Sequence, residues 1–264
     1  MVRVAGGLNV IHNPKHSIFK KSEERAVGFH FDLKPADILI TEDGVLKISD
    51  FGLSLIKRVS PSSESHGIFR GGAPRYQAPE VSLFPTLDSG SQGLSLSLPT
   101  DAMSDEYKNK YDVWSFACIV LEVIIYLFEE NGKKQLVSFD QNLDSELPRW
   151  SFYGRESQLK LCVQQALDRI GGHIQSGSEG PGYDAWALEI VQLLKEMFDF
   201  EPETRPSSTE VVQRLEALQN DYKEKPDDEI GIRLTKHCLH EYSKEKYTQV
   251  QWYNPSKSRS FIKM

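Results

Sequence analysis

The chain has 264 residues, with 38 acidic against 31 basic side chains and a formal net charge of −7, so its composition gives a nucleic-acid partner no electrostatic support. That length can bury one good core or two small ones. Three widely spaced cysteines, Cys118, Cys162 and Cys238, argue against a disulfide framework and for a reducing compartment.

The opening residues lack an apolar run long enough for a secretory signal, which makes cytoplasm or nucleus the expected location. Residues 1 to 27 are basic and poorly periodic, and Lys20 to Arg25 offers only a charged turn or two. From Gly28 to Gly52 the pattern sharpens. Ile38-Leu39-Ile40 and Val45-Leu46-Lys47-Ile48 flank Glu42-Asp43-Gly44, where Asp-Gly supplies the positive φ of a tight hairpin turn. Such a hairpin brings Asp32, Asp37 and Asp50 to one end. Three converging carboxylates repel one another unless cations or basic groups lie between them, as at a metal and phosphate site.

Beyond the hairpin, Ser60, Ser62, Ser63 and Ser65 lie in a loop, and residues 82 to 105 are rich in serine, glycine and leucine, which reads as an inserted surface loop. Tyr111 to Phe128 is apolar on nearly every side. It carries Asp112 and Glu122 and falls short of the ~20 clean apolar residues of a membrane span, so a buried central helix is expected. Glu129 to Pro148 reads as a polar connection. Helical spacing returns over Gln158 to Ile170 and, after a glycine-rich break, over Ala185 to Phe198. Ser207 and Glu210 form a capping-box signature for a helix from Ser208 to about Leu218. From Asp221 the composition is that of a mobile polar tail, in which Val250 to Tyr253 is a candidate short strand; His237, Cys238 and His240 are too compressed for a zinc site and read as surface.

Asp32-Leu33-Lys34-Pro35, Asp50-Phe51-Gly52, Ala78-Pro79-Glu80, Asp112-Val113-Trp114-Ser115 and the Asp199 to Pro206 turn occur in one chain in that order. In this they resemble the C-terminal lobe of eukaryotic protein kinases of the serine/threonine type, over residues 28 to 220. The resemblance implies an α+β kinase-like fold, a mainly helical lobe with a small β hairpin at its catalytic edge. It also implies ATP-dependent phosphoryl transfer to serine or threonine of a protein substrate, with Mg²⁺. Carried over residue by residue, it makes Asp32 the acceptor of the substrate hydroxyl proton and Lys34 the cation that steadies the transferred phosphoryl group. Asp37 and Asp50 become the Mg²⁺ and nucleotide-binding pair, with Asp37 standing where the family has asparagine.

Further positions follow from the same resemblance. His30 and Phe51 read as buried packing residues that stack an internal spine. Phe31 replaces the arginine that in many kinases receives the activation-loop phosphate, so loop phosphorylation is not the expected switch. Ala73 replaces a threonine whose hydroxyl bonds toward the catalytic loop. Asp112 is expected to anchor the catalytic-loop backbone from below, and Arg205 to form a buried bridge with Glu80. Glu122 stands where many members have an acid that faces a basic substrate residue; a solvated glutamate at the helix edge is the alternative.

Residues 1 to 27 show neither the glycine-rich strand nor the strand lysine of an N-terminal lobe. The expected organisation is therefore a short N-terminal segment (1–27), a kinase-like lobe (28–220, insertion 82–105) and a polar tail (221–264). Two functions remain open on these residues: a protein kinase, or a truncated or degenerate one serving as a non-catalytic interaction module. In either case the partner is a protein rather than nucleic acid or membrane, and the residues carry no signal of oligomeric state.

Overall fold

The computed structural model describes residues 1–14, 25–59, 72–80, 109–128, 131–155, 157–173 and 181–223. The serine cluster at 60–65, the expected insertion and the tail beyond 223 lie outside them.

The sequence pattern accounts for most of what is seen. Helix α1 (Val2–His12) is followed by β1 (Arg25–Phe29), β2 (Ile38–Ile40), β3 (Leu46–Ile48) and β4 (Leu55–Val59). The helices α2 (Lys110–Phe128), α3 (Gly132–Ser145), α4 (Leu161–His173), α5 (Pro181–Met197) and α6 (Ser208–Lys223) complete the fold. β2 and β3 form the expected antiparallel hairpin, with Ile38 opposite Ile48 and Ile40 opposite Leu46. Gly44 takes φ 82° in its turn, a value that costs glycine nothing. A second two-stranded sheet, β1 against β4, pairs Phe29 with Leu55 and Arg25 with Val59; nothing local in either strand announces that pairing.

α2 is the axis of the molecule. Trp114, Phe116, Leu121 and Ile125 are fully buried on it, each such side chain contributing about 1.5–3 kcal/mol by leaving water. Phe198 and Phe200 meet the Trp114 ring edge-on at 5.1 and 5.4 Å. α3, α4 and α5 pack on α2, α6 packs on α5, and α1 closes the layer against α6, β1 and β3. Among the described residues no helix is long and apolar enough to cross a membrane.

Two elements depart from the sequence reading. The N-terminal segment, expected to be poorly periodic, carries a helix, because Val4, Ala5, Leu8 and His12 put one buried face on α1; residues 20–24, where a charged turn is expected, lie outside the described residues. The expected polar connection after α2 is the helix α3, whose Leu136, Phe139 and Leu143 are buried at spacings of three and four. Its C-terminal end is held by Lys160, 2% exposed, whose ammonium donates to the carbonyls of Leu143, Glu146 and Pro148 at 2.6, 2.9 and 2.8 Å. The Leu143 and Glu146 carbonyls are among the groups that a helix end leaves without intrahelical partners.

The segment ending in Ala78-Pro79-Glu80 is clamped to the turn before α6, as the resemblance implies. Arg205 donates to both Glu80 oxygens, at 2.5 and 2.7 Å, and its guanidinium lies 5.1 Å from the centre of the Trp114 ring. Ser207 and Glu210 exchange the two bonds of the capping box, 2.7 Å from the Ser207 amide and 3.2 Å from the Glu210 amide.

Candidate active site

The site grows from a carboxylate beneath it. Asp112, in the first turn of α2, accepts the His30 amide at 2.7 Å on one oxygen and the Phe31 amide at 2.8 Å on the other. His12, at the end of α1, lies 3.0 Å from the same carboxylate through Nε2. One fully buried acid therefore joins α1, α2 and the loop that carries Asp32. The loop needs that anchor, because Phe31 is held at φ 66°, a left-handed conformation that costs a residue with a Cβ about 1–2 kcal/mol. Phe31 itself is buried, stacked on Phe29 at 5.0 Å and edge-on to Tyr111 at 6.0 Å.

From this floor the catalytic-loop groups rise to the surface. Lys34 Nζ bonds to Asp32 Oδ2 and lies 3.4 Å from Asp37 Oδ2. The other Asp32 oxygen accepts the Ala73 amide at 2.6 Å, so the backbone supplies the tether that the missing threonine hydroxyl would have made. Gly72 permits the approach: a Cβ there would fall 2.5 Å from the Phe31 carbonyl oxygen. Asp37 sits at the end of a single 3₁₀ turn, Pro35–Asp37, and its carboxylate accepts the Lys34 amide at 3.3 Å.

Asp37 is almost wholly buried, and burial pushes its carboxyl up to about 6. Lys34 and then His30 pull it down, while the charges of Asp32 and Asp50 push it further up. For Lys34, burial opposes the ammonium, but the bond to Asp32 and the charges of Asp37 and Asp32 outweigh it and hold it above its ordinary value. Asp32 and Asp50 thus both act on Asp37 across the end of the hairpin. Asp50 is exposed, at φ 58°, and accepts the Gly52 amide at 3.3 Å.

Among the described residues no group of three or more His, Cys, Asp or Glu side chains is arranged to hold a metal alone. Asp37 and Asp50 nevertheless suit Mg²⁺, which takes one or two carboxylates and completes its shell with water and phosphate oxygen. Burial is the main cause of the raised Asp37 carboxyl, and a divalent cation bound beside it would favour the charged form and draw it back down.

Several expectations are corrected here. Phe51 is not core: it is 54% exposed, touching the His30 ring at 5.6 Å on the rim where the chain turns after Asp50. His30 is buried as expected, and its Nε2 lies 3.1 Å from the Ser49 carbonyl, which fixes the strand end just before Asp50. Glu122 is neither solvated nor open to an incoming cation. It is fully buried and accepts Arg75 Nε at 2.6 Å and the Tyr76 hydroxyl at 3.2 Å. His12 and Arg75 escaped the sequence reading, because the partners of each lie tens of residues away.

The family model described as protein kinase domain matches residues 1–215. The chain belongs to the protein kinase family. The match includes α1, upstream of the point where the motif resemblance begins. A probable cell division protein kinase of Encephalitozoon cuniculi is 29% identical over 198 residues, covering 73% of this chain and 54% of that protein. A serine/threonine-protein kinase of Schizosaccharomyces pombe is 27% identical over 194 residues, 70% of this chain and 47% of that one. A cAMP-dependent protein kinase of Saccharomyces cerevisiae is 26% identical over 162 residues, 61% and 34% of the two chains. The chain spans about half or less of the length of these relatives.

Proposed function

We propose that this protein kinase-family chain transfers the γ-phosphoryl group of ATP to a serine or threonine hydroxyl of a protein substrate. The observation that carries the reading is the bonding of Asp32, with Lys34 on one carboxylate oxygen and the Ala73 amide on the other. A carboxylate offers about four lone-pair positions, so both oxygens can be fixed while one still accepts a substrate hydroxyl. In the transfer, the hydroxyl oxygen bonds to phosphorus, its proton passes to Asp32, and the bond from phosphorus to the bridging oxygen of ADP breaks. Lys34, cationic between Asp32 and Asp37, would steady the transferred phosphoryl group. Asp37 and Asp50 are the proposed holders of Mg²⁺, which when bound would neutralise phosphate charge as it builds on the leaving ADP. The ledge from Ala73 to Tyr76, bonded to Asp32 at one end, would present the substrate backbone to the loop.

The widely spaced cysteines, of which Cys118 and Cys162 are buried free thiols, support cytoplasm or nucleus as the place of action. The reading is tested by phosphate transfer from γ-labelled ATP to a serine-containing protein by the purified full chain. Transfer that depends on Mg²⁺ and disappears in Asp32→Asn supports it. Mg-ATP binding in calorimetry, lost in Asp50→Ala, supports the nucleotide site separately. A folded chain that binds no Mg-ATP would overturn it.

A further inference from the structure

The ledge beside Asp32 carries a charge that the reaction does not use. Arg75 lies two residues beyond the amide bonded to Asp32. Its guanidinium bonds to Glu122 of α2 through Nε at 2.6 Å and Nη2 at 2.5 Å, and to Asp140 of α3 through Nη2 at 2.5 Å. Glu122 is fully buried, with its second oxygen taking the Tyr76 hydroxyl at 3.2 Å, while the Asp140 side chain is 30% exposed. The same guanidinium stands 5.6 Å from the Phe152 ring centre and 5.9 Å from that of Tyr76. Burial opposes its charge, but Glu122 above all, and then Tyr76 and Asp140, hold it well above its ordinary range.

Two acids at one edge of a peptide ledge make a receptor for a basic side chain, since a guanidinium matches two carboxylates in geometry and charge. Here the chain's own arginine already occupies it, and an outside arginine gains nothing from an acid whose oxygens are bonded and dry. We infer that Arg75 is a specificity-determining residue: it fills the acidic subsite formed by Glu122 and Asp140, so the protein substrate carries a neutral rather than a basic residue there. The inference rests on the proposed kinase reading and names the substrate class for that site.

The test is binding, so that it does not depend on turnover. Serine-centred peptide pairs, identical except for arginine or norleucine at each position near the serine, are titrated against the full chain by fluorescence anisotropy with magnesium and a non-hydrolysable ATP analogue present. The native chain is expected to bind both members of every pair within about twofold. Arg75→Ala should favour arginine at one position by about tenfold, and adding Glu122→Gln should abolish that gain. Because Arg75→Ala leaves Glu122 buried without its partner, its fold is checked by thermal melting. If it does not fold, Glu122→Gln in the otherwise native chain decides: unchanged discrimination supports the inference. A native chain that prefers the arginine peptide tenfold, and loses that preference with Glu122→Gln, overturns the inference while leaving the kinase reading intact. Failure of the native chain and the variants to bind any peptide overturns both.

Discussion

The segment from Gly72 to Glu80 is fastened differently at its two ends. At the far end Glu80 is gripped by two bonds from Arg205, with both residues buried and the guanidinium over the Trp114 ring. At the near end Ala73 gives Asp32 one amide bond, at the surface, where Asp32 is 18% exposed and Lys34 24%. The difference teaches how a loop can be fixed without being frozen. A dry bidentate pair holds the fold, while the near end meets Asp32 through a single amide bond, one that a bound substrate, on the proposed reading, would compete with or reinforce.

Breaking the strong end should have the largest effect. Arg205→Ala leaves Glu80 charged and dry, and removing one partner of a buried pair costs about 3–5 kcal/mol. Chemical denaturation should show a loss of that size, and a loss below about 1 kcal/mol would mean that the far end is not a clamp. Asp112→Ala comes next, because it takes the acceptor from two buried amides, at about 1–3 kcal/mol each. It should lower stability and abolish phosphate transfer together, since the loop and α2 share that acid; full stability with normal transfer would contradict this.

The third prediction has the opposite sign. Asp37 titrates at about 6 in the fold against 3.8 unfolded. The folded state therefore holds its proton more tightly, and the stability this contributes is full below pH 3.8 and lost as pH rises through 6. At pH 7 in chelator, Asp37→Asn should accordingly stabilise the fold by about 2–3 kcal/mol, with the gain vanishing near pH 4. Equal melting curves for both proteins across that range would refute it.

Gly72→Ala should have the smallest effect on stability and a selective one on chemistry. Its methyl group would press on the Phe31 carbonyl and move the Ala73 amide from Asp32. Transfer should fall at least about tenfold while stability falls by only about 1–2 kcal/mol. Equal losses in both would show the near end to be as structural as the far one.

Legibility in the sequence followed the range of the interactions. The hairpin, α2 and the capping box were readable because their signals are local: Asp-Gly between apolar runs, a helix apolar on every side, a serine three residues before a glutamate. The Arg205–Glu80 bridge, 125 residues apart, was readable only through the family resemblance. α1 was hidden by Gly6 and Gly7, which weaken helical propensity and blur the face formed by Val4, Leu8 and His12. α3 was hidden because Leu136, Phe139 and Leu143 are few among polar neighbours. His12 reaches Asp112 across 100 residues and Arg75 reaches Glu122 across 47, and no local pattern encodes either pair. Phe51 misled in the other direction, because a large apolar residue in a motif reads as core whatever the rim around it provides.

The acid under the catalytic loop also sets how this molecule can breathe. The amides of His30 and Phe31 end on a fully buried carboxylate of the central helix. Their hydrogens can therefore exchange with solvent only when the loop lifts away from α2, an opening close to complete unfolding. The Gly52 amide, bonded to an exposed side chain, belongs to the opposite extreme. Deuterium uptake across these few residues would trace a steep gradient in opening free energy, with the loop that carries Asp32 in the last part of the protein to let go.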